Sequence, residues 1–266
     1  MIIFFDSGVG GLPYLQYFRQ NNPSENLIYI ADRINFPYGK KTKQEIIHIL
    51  VSLFETLINQ FQPKLVVLAC NTASVSALPT LRETFPHIPW IGTVPAIKPA
   101  LIESHNRCVG VLGTDRTIDD PYITELIEKY REDARIICIP AARMVEFVEK
   151  RFFEANDAEK QTIVSPYIKQ FRNAGADAVV LGCTHFLFLQ TTFRAVAVPD
   201  IKIYDSIAGV SHRIEAILDE KNIRDKTGKV PAECRFILTG VAPIEQKWFK
   251  WASDLMAEAS VLHEKS

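Results

Sequence analysis

The sequence carries almost no net charge, with 30 Lys and Arg against 31 Asp and Glu leaving −1 at pH 7 over 266 residues. That balance excludes the broad cationic face with which proteins bind nucleic acid. Cysteines are few and odd in number, five, and no CxxC pair occurs among them. Neither a disulfide framework nor a common zinc spacing fits, so reduced thiols and no metal are expected. No apolar run approaches the ~20 residues that span a bilayer, because residues such as Asp6, Asp32 and Asn71 interrupt each one. The opening segment Ile2-Ile3-Phe4-Phe5 reads as a strand, without the basic region and cleavage site of a secretory signal, and a cytosolic setting is expected. What is abundant is apolar content, 47%, enough at this length to bury a substantial core in one or two domains.

The most informative feature is a repetition. Val66-Val67-Leu68-Ala69-Cys70-Asn71-Thr72 is answered 113 residues later by Val179-Val180-Leu181-Gly182-Cys183-Thr184-His185. An apolar β-branched run that breaks into small polar residues reads as a buried parallel strand entering its C-terminal loop. Open α/β sheets bind their ligands at such loops. Further matches at a similar offset join Phe4-Phe5-Asp6-Ser7 to Val111-Leu112-Gly113-Thr114, and Pro89-Trp90-Ile91-Gly92-Thr93 to Ile201-Lys202-Ile203-Tyr204-Asp205-Ser206. A repeat of domain length implies two related α/β lobes, each ending one strand in a thiol. Two thiols facing one cleft are the acid and base that inversion of a stereocentre requires.

The pattern along the chain alternates strands with helices. In the first lobe, strands are expected at 2–5, 27–30, 65–69 and 89–91, with helices near 12–20, 42–60 and 73–84. In the second, strands near 107–112, 135–139, 177–182 and 201–204 alternate with helices near 118–131, 142–152, 159–174 and 186–194. A helix at 207–221, a charged connection from Lys221 to Lys229, a strand at 234–238 and a helix near 243–258 follow. This tail is assigned to the first lobe, giving 1–95 with 208–266 as lobe one and 96–207 as lobe two. The fold class expected is α/β, with two pseudo-symmetric lobes of helix-flanked parallel sheet.

Cys108, Cys138 and Cys234 lie within apolar runs and are expected to pack in the core. Cys70 and Cys183 end their strands beside polar residues, where a thiol is chemically useful. The turn Gly8-Val9-Gly10-Gly11, with Asp32 ending the next strand, has some of the character of a dinucleotide fingerprint. Pro13 stands at the third glycine position, and Asp6 puts a carboxylate where a pyrophosphate would approach. Glycines that only permit a tight turn are the competing explanation.

Together, Asp6-Ser7-Gly8-Val9-Gly10-Gly11-Leu12, Pro37-Tyr38-Gly39, Cys70-Asn71-Thr72-Ala73-Ser74 and Gly182-Cys183-Thr184-His185 resemble the signature motifs of bacterial glutamate racemases, in order and with matching spacing. The resemblance spans nearly the whole chain. It implies a pyridoxal-independent racemase of two flavodoxin-like lobes with the active site in the interlobe cleft, needing no cofactor, dimeric, and supplying D-glutamate for peptidoglycan. It implies that Cys70 serves the D-enantiomer and Cys183 the L-enantiomer, with Asp6 and His185 beside them. Thiols suit the task because their ordinary pKa of ~8.5 lies near working pH and falls at helix N-termini or near cations.

By the same resemblance Ser7, Tyr38, Gly39, Asn71, Thr72, Thr184 and His185 match substrate-binding positions. Asp6 also borders the substrate ammonium. Thr114 and Thr117 are candidates on chemistry alone, as hydroxyls near helix N-termini, with a helix cap as the alternative. Glu149 takes the place of a supporting family glutamate, and Glu146 is its rival. Simpler roles remain open: an N-cap for Asp6, a core or capping position for His185, a surface ion pair for either glutamate. Phe186-Leu187-Phe188-Leu189 departs from the usual Tyr-Pro-Leu-Leu, which puts the packing behind Cys183 in question. Other readings are an aspartate racemase or related isomerase, a cysteine hydrolase built on Cys183 and His185, and a non-catalytic amino-acid-binding regulator. The hydrolase leaves Cys70 and the repeat unexplained, and the regulator needs no second thiol.

Overall fold

A computed structural model describes residues 1–119, 121–130, 133–226, 232–255 and 257–262. The chain divides into two compact units, Met1–Thr93 with Ile207–Ser266, and Val94–Ser206.

The first unit contains β1 (Ile2–Asp6), β2 (Leu27–Ala31), β3 (Leu65–Leu68) and β4 (Trp90–Gly92). In the second unit lie β5 (Cys108–Gly113), β6 (Arg135–Pro140), β7 (Ala178–Leu181) and β8 (Lys202–Tyr204). The chain then returns to the first unit with β9 (Cys234–Leu238) and β10 (Ala259–Val261). The first sheet runs β10-β9-β2-β1-β3-β4 and the second β6-β5-β7-β8, with every pairing parallel. All residues of β1, β2 and β3 are buried, as expected of parallel strands covered on both faces.

The helix Lys43–Phe61 shows how local sequence builds this frame. Thr42 and Glu45 form a reciprocal capping box at its start. Ile46, Leu50, Phe54 and Leu57 form its buried stripe. That stripe meets the sheet in a core where Phe54 lies 5.3 Å from Phe5 and packs edge-on to Trp90 at 4.8 Å. In the second unit, Ile97, Ala100 and Leu101 of the helix Ile97–Glu103 cover Val109, Val111 and Val180 of the sheet.

Several local expectations are corrected. The single helix near 118–131 is instead Asp115–Ile118 followed by Pro121–Tyr130, because proline is at home at a helix start and breaks an interior; residues 120 and 131 lie outside the described set. The helix near 186–194 is a 3-10 turn, Thr184–Leu189, that passes into a helix Gln190–Ala197. The last helix is shorter, Gln246–Asp254, and residue 256 of the expected span lies outside the described set. So do 227–229 of the charged connection. The short helix Ile97–Glu103, the turn Tyr38–Lys40 and β10 had no sequence signal strong enough to single them out. Cys108 is buried, but Cys138 is exposed and Cys234 only half-buried. Cys138 sits on β6, an edge strand, where an apolar run does not guarantee cover. Among the described residues no helix is long and apolar enough to cross a membrane.

Candidate active site

The strand order β2-β1-β3-β4 recurs as β6-β5-β7-β8, so the repetition in the sequence is a repetition of topology. In each sheet the chain reverses its winding between the first and third strands of the set, and such a switch point opens a crevice at the strands' C-terminal ends. Cys70 follows β3 and Cys183 follows β7, each beside that crevice. The match extends to single hydrogen bonds. Ala69 N donates to Phe5 O at 2.7 Å, and Gly182 N donates to Leu112 O at 2.7 Å. Likewise Asp32 N donates to Asp6 O and Ala141 N to Gly113 O, both at 2.9 Å. Both cysteines are extended, with φ −142° and ψ 116° at Cys70, φ −137° and ψ 135° at Cys183.

Around Cys70 the structure gathers the residues of the first unit. Cys70 is the N-cap of the helix Asn71–Thr84, so its thiol sits where the helix end favours negative charge. Ser7 Oγ lies 4.0 Å from Cys70 Sγ. Asp6 is fully buried and does not cap the helix Leu12–Asn21, whose N-cap is Gly11. Its Oδ1 instead accepts from Gly8 N at 2.7 Å and from Ser7 Oγ at 3.3 Å. Tyr29 OH donates to Gly8 O at 2.8 Å and accepts from Gly11 N at 3.1 Å. The turn's amides thus serve side chains of this unit, which argues against a pyrophosphate cradle. Gly11 is required by packing: a Cβ there would lie 2.7 Å from Ala69 Cβ, at the residue preceding Cys70.

Tyr38 is buried in the same core cluster as Cys70, and half-buried Gly39 follows it in the 3-10 turn. Burial, and then the charge and hydrogen bond of Asp32, push the Tyr38 phenol well above its usual pKa, with smaller contributions from Cys70 and Asp6. It therefore stays protonated and donates to Asp32 Oδ2 at 2.6 Å. Asn71 and Thr72 are buried in the first turn of their helix, and Asn71 Oδ1 has no hydrogen-bond partner among the described residues. A buried acceptor without a donor is costly, and a ligand N–H would relieve it.

Around Cys183, His185 Nδ1 lies 3.9 Å from Sγ while Nε2 meets Glu149 Oε1 at 2.8 Å. Burial alone would depress the imidazole's pKa; the bonds to Cys183 and Glu149 outweigh it and hold the pKa well above the ordinary value. Glu149 is buried on the helix Ala142–Arg151, whereas its rival Glu146 is exposed, so the surface ion pair is not its role. Thr184 is buried beside Cys183. Thr114 caps Asp115–Ile118 by accepting from Thr117 N, and the two hydroxyls meet at 3.0 Å. Phe186 and Leu187 are buried, and Phe188 packs 5.2 Å from Phe152, so the departure from Tyr-Pro-Leu-Leu is accommodated by apolar contact.

The sequence reading missed the partners of Asp32, which is fully buried and accepts from Asn35, Tyr38 and Thr239. Among the described residues no group of three His, Cys, Asp or Glu side chains is arranged to hold a metal ion.

Comparison with known proteins agrees with this architecture. The pattern of the family described as Asp/Glu/Hydantoin racemase matches residues 18–209. Glutamate racemase of Roseiflexus sp. (strain RS-1) is 37% identical over 219 residues, 82% of this chain and 79% of that protein. The structure of Escherichia coli glutamate racemase in complex with L-glutamate and activator UDP-MurNAc-Ala is similar with a TM-score of 0.82 and 29% identity, over 100% of this chain and 99% of that one. Francisella tularensis glutamate racemase in complex with D-glutamate also gives 0.82, at 26% identity over 100% and 97%. A doubled parallel-sheet fold alike over its whole length to such enzymes defines an amino-acid racemase, an isomerase. The chain belongs to the Asp/Glu/hydantoin racemase family.

Proposed function

We propose that this enzyme interconverts L- and D-glutamate without a cofactor, by proton transfer between two thiols and the substrate's α-carbon. The observation that carries the reading is the equivalent placement of Cys70 and Cys183 beside the switch points of two sheets with the same strand order. One cysteine, as thiolate, takes the α-proton; the other, as thiol, protonates the opposite face of the carbanion, and the roles exchange with direction. Cys70 works on the D-enantiomer and Cys183 on the L-enantiomer. Asp6 is the polar neighbour on the Cys70 side. On the other, His185, kept cationic by its bonds to Cys183 and Glu149, stands beside the Cys183 sulfur. Ser7, Tyr38, Gly39, Asn71, Thr72, Thr184 and His185 hold the substrate's carboxylates and ammonium, with Thr114 and Thr117 as further hydroxyls. The product supplies peptidoglycan synthesis in the cytoplasm, and the enzyme works as a homodimer, which light scattering after size exclusion tests.

The deciding experiment is deuterium incorporation at Cα when D- or L-glutamate is incubated in heavy water with protein alone. Exchange with glutamate in preference to aspartate is expected. Cys70→Ala and Cys183→Ala are each expected to lose racemization by at least about 10³-fold while keeping a native melting transition, since each removes one proton-transfer group. Near-native turnover by either variant refutes the two-thiol reading.

A further inference from the structure

Asp32 directly follows β2 with no exposed surface, and its hydrogen-bond partners among the described residues include no cation. A buried carboxylate is tolerable only when donors replace its water. Three side chains do so. Tyr38 OH donates to Oδ2 and Thr239 Oγ1 donates to Oδ1, both at 2.6 Å, the length of a charge-assisted O–H···O bond. Asn35 Nδ2 reaches both oxygens at 3.1 and 3.0 Å. Two of the donors belong to the same loop as Asp32. Thr239 is 207 residues away, at the exit of β9.

Thr239 grips that loop at four points. Its N–H donates to Ala31 O at 3.1 Å, its carbonyl accepts from Arg33 Nε at 2.8 Å, and its hydroxyl accepts from Ile34 N at 3.3 Å while donating to Asp32. Immediately beyond, Gly240 adopts φ +108°, and a Cβ there would lie 3.1 Å from Ile34 and 3.2 Å from Arg33. Glycine lets the chain turn away at once, with the threonine left against the loop. The far end of the network is Tyr38, whose ring is 6.2 Å from that of Phe5 and whose phenol feels the charges of Cys70 and Asp6.

We infer that Thr239 is a positioning residue for the reaction: through Asp32 it fixes the Tyr38 phenol, and with it the Tyr38–Lys40 turn, in the place where substrate meets them. The inference rests on the proposed role of Tyr38 in substrate binding. It gives the returning C-terminal segment a part in catalysis that none of the four signature motifs contains.

The test compares Thr239→Val, which keeps shape and removes the hydroxyl, with Thr239→Ser, which keeps the hydroxyl. Thr239→Val is expected to lower kcat/KM about tenfold in both directions, and Thr239→Ser to remain within about twofold of wild type. In a Tyr38→Phe background, Thr239→Val is expected to add less than about twofold, since nothing remains for it to hold. Asn35→Ala, at a half-exposed loop position, serves if Thr239→Val does not fold; a loss of about threefold that also vanishes in the Tyr38→Phe background is expected. Equal losses in both backgrounds, or wild-type kinetics in the folded variants, overturn the inference. An activity-independent readout is the ultraviolet titration of Tyr38, taken as the difference from Tyr38→Phe. A loosened loop admits water, so the phenol's pKa is expected to fall in Thr239→Val or Asn35→Ala, and an unchanged titration overturns the inference. Wild-type exchange with aspartate alone overturns the glutamate reading while leaving the positioning role tested on that substrate.

Discussion

His185 and Glu149 form a buried pair whose protonation is set by opposing forces of known sign. Burial disfavours the imidazolium, and the carboxylate and thiol restore it with a margin, so the folded-state pKa exceeds that of an unfolded histidine. The stabilisation is therefore complete below about pH 6.5, the unfolded value, and is lost as pH rises through the folded one. Glu149→Gln removes the anion that raises this pKa. The alkaline loss of stability is expected to begin at lower pH, with a deficit of about 1–3 kcal/mol near pH 6, read from urea unfolding across pH. His185→Asn is expected to flatten the same dependence. A Glu149→Gln profile that overlays wild type contradicts the assignment.

At the scale of elements, two glycines let the strand ends approach their neighbours closely enough to present the thiols. Gly11 has an ordinary φ of −80°, so the requirement there is space alone. An alanine Cβ would meet Ala69 Cβ at 2.7 Å and Ala69 O at 2.9 Å, and at Gly182 it would meet Leu112 O at 2.8 Å. Backbone atoms cannot rotate away as a side chain can. Gly11→Ala is expected to cost about 1–3 kcal/mol in urea unfolding and to reduce turnover more than it raises KM, because Ala69 carries Cys70. The Thr42 cap is the control at this scale. Thr42→Ala is expected to cost about 1 kcal/mol and leave kcat unchanged, since the capping box fixes a helix end without touching a thiol.

At the scale of the whole molecule the five cysteines differ in access, and the difference is testable in one experiment. Cys138 is exposed on an edge strand, while Cys70, Cys108 and Cys183 are buried. Iodoacetamide is expected to label Cys138 first with no loss of activity, and Cys138→Ala to remove that fast phase. A slower phase is expected to abolish racemization, with glutamate protecting Cys70 and Cys183 as shown by peptide mass mapping. Loss of activity that tracks the fast phase contradicts this ordering.

Much of this architecture was legible in the amino acids because it is written locally. The β-branched runs before Cys70 and Cys183 and the periodicity of Ile46, Leu50, Phe54 and Leu57 each declare one element within a few residues. The spacing of the repeat declared that two sheets are related, because duplicated strands inherit duplicated neighbours. Only the tertiary structure decided what depends on distant pairing. It turned Glu149 toward His185 and left Glu146 exposed on the same helix. Cys138 is a surface residue because β6 is the edge of its sheet among the described residues, and β10 is a strand because Ala259–Val261 pairs with β9. Asp32 acquired Thr239 across 207 residues. Such contacts are set by the assembly of the sheet, where a side chain's environment comes from strands far away in the chain, and no local pattern encodes them.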